Sequence, residues 1–146
     1  MTDFAWDYVK LAFLGGLGVI QIASAYSGFR GLFFFPTRTL AAVAGVAMTV
    51  TAFLWFFMTG PRNLPDTTFG LDGNEQARFF AIGGAAAVVF SLLFSSVRNA
   101  TLGTAEDAER PGFEALKHTT FVRAFAAAVR KSWKLYSSRF GEPTSQ

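Results

Sequence analysis

Three runs of residues decide what this chain can become. Val9 to Tyr26 covers 18 residues whose only charge is Lys10 at the edge, Leu40 to Gly60 covers 21 with no charge, and Phe79 to Val97 covers 19 with none. A helix rises about 1.5 Å per residue, so about 20 residues cross the roughly 30 Å hydrocarbon core of a bilayer. Backbone groups there find no water, so a spanning run must close its hydrogen bonds internally. The expected fold is an all-α integral membrane protein. Three transmembrane helices are read over about residues 9–26, 40–60 and 79–97, followed by a tail from residue 98.

Composition agrees and removes several kinds of chemistry. Charged residues make up 16% of the chain, against about 25% in ordinary soluble domains. There is no cysteine, which excludes disulfides, thiolate zinc sites, Cys-ligated iron–sulfur clusters and a Cys nucleophile. A single histidine, His118, excludes a multi-His metal site within one chain. With 146 residues there is room for one domain and no catalytic module beside it.

The first run has a rival reading, because Ala23-Ser24-Ala25 resembles a signal-peptidase site after an apolar stretch. A signal peptide wants positive charge ahead of that stretch, and here Asp3 and Asp7 outweigh Lys10. The run is therefore read as a retained spanning helix.

Orientation follows from Lys and Arg. Arg30 and Arg38 lie between the first two spans; Arg98, Arg110, Lys117, Arg123, Arg130, Lys131, Lys134 and Arg139 follow the third. With three spans these ten share one side, against Lys10, Arg62 and Arg78 on the other. The basic side is expected to be cytoplasmic, with the N-terminus outside. Arg outnumbers Lys nine to four, which resembles bacterial high-GC coding and points to a bacterial inner (plasma) membrane.

The inner loop, Ser27 to Thr39, contains Phe33-Phe34-Phe35-Pro36. Its rings are expected at the membrane interface, with Arg30 and Arg38 reaching headgroups, in a short re-entrant or in-plane segment. Pro36 is expected to set the start of helix two. The outer loop, Pro61 to Arg78, is rich in turn residues. Either Asp72 or Asn74 is expected to cap helix three. The rival is an oxygen-ligand ion site from Asp66, Asp72, Asn74 and Glu75, whose spacing does not fit an EF-hand loop.

In the tail, Thr104-x-x-Asp107 has the form of a capping box, with Asp in place of Glu. Pro111-Gly112 is a break. From Phe113 to Phe140 the positions His118, Val122, Phe125, Val129, Trp133, Tyr136 and Phe140 recur at steps of three and four, the helical period. Arg123, Arg130 and Lys134 share another face, flanked by Lys131 and Lys117. The expectation is a cytoplasmic basic amphipathic helix over about 113–140. Its receiving surface is the anionic leaflet, a partner protein or the inner loop of the same chain.

Candidate sites are thus of two kinds. Small residues recur every four positions in the spans: Ala12 and Gly16 in the first, Ala41, Gly45 and Thr49 in the second, Gly83, Ala87, Ser91 and Ser95 in the third. Close van der Waals contact drives helix association in lipid, and small side chains permit it. The second kind is the tail face of Phe125, Val129, Trp133, Tyr136 and Phe140, with Arg123, Arg130 and Lys134. No catalytic, cofactor-binding or metal-ligating residue is assigned. Intramembrane ionisable groups mark proton and ion paths, and spans two and three have none. Gly15-Gly16-Leu17-Gly18 lies inside a spanning run with no strand before it, which is not a phosphate loop.

The leading expectation is a non-catalytic membrane subunit or adaptor. It would pack against partner membrane helices or against itself, and anchor a larger complex. A small oligomeric transporter or channel is the alternative, then an enzyme acting on lipid headgroups through loop carboxylates and arginines. The expected partners are the lipid bilayer and other membrane subunits, not nucleic acid. A topology test follows. Reporter fusions at Gln146 and within Asp66 to Gly73 should report opposite sides of the membrane, and a cytoplasmic signal from the outer-loop fusion would sink the orientation.

Overall fold

The computed structural model describes residues 3–59 and 73–140, and all regular structure among them is helical. Helix α1 is Asp3–Ser27, α2 is Arg38–Met58, α3 is Gly73–Arg98, α4 is Ala105–Ala108 and α5 is Phe121–Phe140. Short 3₁₀ turns cover Arg30–Leu32 and Gly112–Lys117. Three helices are long and apolar enough to cross a membrane: Phe4–Ser27, Arg38–Met58 and Gly73–Arg98.

The helix ends follow from local chemistry. α1 stops at Gly28, whose φ of +73° suits a residue without a Cβ. There the Gly28 N–H bonds the Ala25 carbonyl and the Phe29 N–H the Ser24 carbonyl, the pair of bonds that closes a Schellman end. Pro36 lies two residues before α2, and Thr37 caps it by accepting from the Leu40 N–H at 3.2 Å. Thr104 and Asp107 form the reciprocal capping box read from the sequence, each side chain satisfying the other's backbone N–H.

Packing centres on α1, which runs along both α2 and α3 while those two make little direct contact. α2 lies antiparallel to α1. A methyl group at Gly45 would fall 2.7 Å from the Gly18 carbonyl oxygen, and one at Gly18 would strike Thr49. α3 lies parallel to α1. A methyl at Gly83 would fall 2.7 Å from both the Ala12 methyl and the Val9 carbonyl oxygen, and one at Gly16 would fall 3.0 Å from Ala87. Residues 12 and 16 therefore meet 83 and 87 in step, four residues apart on each helix, the small-xxx-small form of close approach. The run Gly15-Gly16-Leu17-Gly18 serves both seams at one level. Gly16 faces α3 and Gly18 faces α2, about 200° apart at 100° per residue.

Outside the seams the helices present large side chains. Phe53, Leu54, Phe57, Phe90 and Phe94 are all exposed. Toward the N-terminal end of α1, Phe4 and Tyr8 pack on Phe56 with ring centroids 6.0 and 6.1 Å apart.

The tail differs from the single helix expected over 113–140. Pro111 and Gly112, the latter at φ +58°, open a 3₁₀ turn, and α5 begins only at Phe121. His118 is exposed and closes that turn, so it does not belong to the helical stripe.

The seams generate a paired test. Gly83→Leu forces bulk into backbone and should cost about 1–3 kcal/mol, the usual range for overpacking. Gly84→Leu, where a Cβ meets nothing within 4 Å, should leave thermal unfolding in detergent unchanged. Equal melting shifts for the two variants would refute the close approach at Gly83.

Candidate functional site

The end of the bundle where α1 stops, α2 starts and α3 runs out carries most of the polar chemistry of the described residues. It is built around the side chain of Gln21, which is fully buried. Its Nε2 donates to the Leu32 carbonyl at 3.0 Å and its Oε1 accepts from the Phe34 N–H at 2.9 Å. Asn99, just past α3, donates to the Phe33 carbonyl at 2.8 Å and to the Ser95 carbonyl at 2.9 Å. Two amide side chains from two helices thus hold three consecutive loop residues. Leaving a buried polar group unpaired is costly, so these bonds fix where the loop sits.

The three phenylalanines of the loop do not share the same surroundings. Phe33 is buried with Ala25 and Ala41, and Phe34 packs edge-on against Phe90 and Phe94 of α3 at 6.2 and 5.0 Å. Only Phe35 of the three is classed as exposed. Arg38 donates to the Tyr26 carbonyl at 2.9 Å, tying the two ends of the loop.

The tail docks on this loop. A Cβ at Gly31 would strike the Thr119 carbonyl and come within 3.0 Å of the Leu116 carbonyl, so backbone meets backbone there. Thr119, fully buried, donates its hydroxyl to the Leu102 carbonyl at 3.3 Å. Ser96 of α3 donates to the Leu92 carbonyl and accepts the Val122 N–H at 3.3 Å. That N–H belongs to the first turn of α5, where intrahelical partners are lacking. Arg123 grips the Leu102 and Gly103 carbonyls at 3.2 and 3.0 Å. The guanidinium assigned from sequence to a partner-binding face therefore bonds its own chain.

The rest of the tail face is uncovered. Phe125, Val129, Trp133 and Tyr136 are exposed at 58, 50, 70 and 61%, and every residue from Ala128 to Ser138 is exposed. The expected contact of this stripe with the Phe33–Phe35 loop is not made. Arg130 donates to the Ala126 carbonyl; Lys134 is exposed. Phe140 ends α5, and its side chain lies outside the described residues.

The small residues of the spans fall inside the chain. Ala12, Ala41, Gly45, Gly83, Ala87, Ser91 and Ser95 are buried, and Gly16 and Thr49 partly so. Thr49 returns its hydroxyl to the Gly45 carbonyl at 3.0 Å, while the buried Ser91 hydroxyl has no hydrogen-bond partner among the described residues. Ser91 acts in the seam through its size. Asn74 and Glu75 stand exposed in the first turn of α3. Asp66 and Asp72, on which the cap and ion-site readings also rest, lie outside the described residues.

Between α4, the Gly112–Lys117 turn and α5 lies an open groove of about 720 Å³. Alanines of α4 and α5 leave it empty, Leu116 and Phe121 line it, and Arg110, Arg130, Lys131 and Lys134 stand around it with one acid, Glu109. Two further acids nearby are already engaged. The Thr104 backbone N–H, then its hydroxyl and Arg110, hold the Asp107 carboxyl below its ordinary range. Lys117, hydrogen-bonded at 3.0 Å, does the same for Glu114.

Comparison with protein-family models, curated proteins and solved structures returned no match. The functional reading rests on this geometry alone.

The Gln21 clamp is testable. Gln21→Leu keeps the bulk and leaves the Leu32 carbonyl and Phe34 N–H unpaired, at about 1–3 kcal/mol for each group left unsatisfied. The variant should melt lower and exchange the Phe34 amide proton faster. Unchanged exchange at Phe34 would show that Gln21 does not hold the loop.

Proposed function

We propose that the chain is a non-catalytic integral membrane subunit or adaptor, embedded by α1, α2 and α3 and docking a partner membrane subunit through α5. The observation that carries this reading is the uncovered stripe of α5 on a helix whose first turn is clamped to the bundle. Four large residues, Phe125, Val129, Trp133 and Tyr136, stand at least half exposed. The same helix is tied at its start through Ser96 and Arg123. A contiguous apolar patch held in a fixed place marks an interaction surface, and aromatic residues are enriched where interfaces bind most strongly. The basic residues of the loop and tail support placing this end in the cytoplasm, with the N-terminus outside.

The use of the small faces bears on the transporter alternative. That reading needs Thr, Ser and Gly faces free to line a pore between chains. Here Thr49, Ser91 and Gly83 face the seams with α1, and the outward faces are largely Val, Leu, Ile and Phe.

The test is purification of the full chain in mild detergent with whatever accompanies it at fixed stoichiometry. Trp133→Ala with Tyr136→Ala should release that companion at least tenfold, while the chain itself stays in the membrane fraction. A chain that purifies alone, with and without the substitutions, would overturn the adaptor reading.

A further inference from the structure

The groove between α4 and α5 asks for its own occupant. It lies beside the stripe proposed to dock a partner. Its lining is apolar, from Ala108, Leu116, Phe121, Ala124 and Leu135, and its surroundings are cationic. Lys131 and Lys134 make no ion pair among the described residues, and Glu109 is the one acid on its wall. Arg110 is paired with Asp107 at 3.3 Å, which leaves Arg130, Lys131 and Lys134 against Glu109. Three cations against one acid around an apolar lining match a ligand with an anionic head and a hydrocarbon body. An Arg guanidinium presents paired donors to a phosphate and a Lys ammonium a compact charge. The volume, about 720 Å³, falls within the usual range of sites that enclose much of a small ligand.

Its place in the fold narrows the source. Phe113 on the groove wall meets Phe29 of the α1–α2 loop, with ring centroids 6.5 Å apart. Phe121 on the opposite wall begins the helix whose first turn sits on Ser96 of α3. The groove therefore opens where the long helices end, the depth of lipid headgroups if those helices span a bilayer. Basic pockets at that depth on the cytoplasmic side take anionic headgroups.

We infer that this groove binds one anionic phospholipid of the adjoining leaflet, its phosphate among Arg130, Lys131 and Lys134 and its acyl chains along the apolar lining. The inference rests on the proposed membrane embedding and is independent of the partner docked on the stripe. Binding would add to the contact that α5 already makes with α4 and the Gly112–Lys117 turn.

The experiment uses the full chain in an uncharged detergent, titrated with dioleoylphosphatidylglycerol or dioleoylphosphatidylcholine and read by native mass spectrometry. The expected result is retention of one phosphatidylglycerol, at least tenfold tighter than phosphatidylcholine. Ala128→Trp fills the groove without changing charge and should abolish that preference; Ala127→Trp, from the same wall, repeats the steric test. Arg130→Gln, Lys131→Gln and Lys134→Gln together should weaken phosphatidylglycerol roughly a hundredfold, about fivefold per charge. Equal retention of the two lipids would overturn the inference. So would a preference lost in the triple variant yet kept in both Trp variants, since that is the behaviour of a charged surface and not of a groove. Displacement of the lipid by glycerol 3-phosphate at the same concentration would overturn the part assigned to the acyl chains. Extraction of the chain from native membranes by alkaline carbonate is the separate failure, and it would sink the membrane embedding itself.

Discussion

Everything in this molecule depends on α1 approaching two helices closely at one level. Gly16 lets Ala87 in on one side and Gly18 lets Gly45 and Thr49 in on the other. For helices embedded in lipid, as proposed, there is no hydrophobic gain from bringing apolar faces together, so association would rest on packing that small residues allow. α2 and α3 make little contact with each other. Loss of either seam would therefore remove the main contact of a whole helix, leaving α3 only its bonds to the loop and to α5.

The remaining order is built on that pair of seams. Once α1 and α3 are in register, Gln21 and Asn99 stand where they can hold the Phe33–Phe34 backbone from two sides. The held loop presents Gly31, whose missing side chain admits the carbonyls of Leu116 and Thr119. The docked tail then brings Val122 to Ser96 and starts α5. Each step uses a buried polar group or a glycine that tolerates one arrangement. This is how such residues give a unique structure even when their net contribution to stability is modest.

How much of this was legible in sequence varies with the range of the interaction. Three long apolar helices were legible because near-absence of charge over 18 or more residues is a local property of the sequence. Thr104 with Asp107 and Pro36 before α2 were readable for the same reason, since capping and proline act within a few residues. Gly18 was missed because small residues were sought at spacings of four on one face, and Gly18 serves the other face. The glycine run, dismissed as a phosphate loop, could have been read as two seams on opposite sides. The partners of Gln21 lie 11 and 13 residues away, and no local pattern names them. Periodicity through residue 118 extended α5 too far, because the stripe continued across a turn opened by Gly112. Arg123 fell on the basic face by angle, yet backbone carbonyls 20 and 21 residues earlier claim it.

The contrast between the two halves of α5 bears most directly on function. Its first turn is fixed by Ser96 and Arg123, and everything from Ala128 to Ser138 is exposed. A helix transmits direction along its length, so clamping one end aims the other. The exposed stretch from Ala128 to Ser138 is shorter than the about 12–15 residues below which an isolated helix is marginal in water, so it gains from a surface that covers it. The aromatic side and the groove side of α5 offer two such surfaces, one rich in rings and one rich in cations. Occupying either stabilises the helix that presents the other.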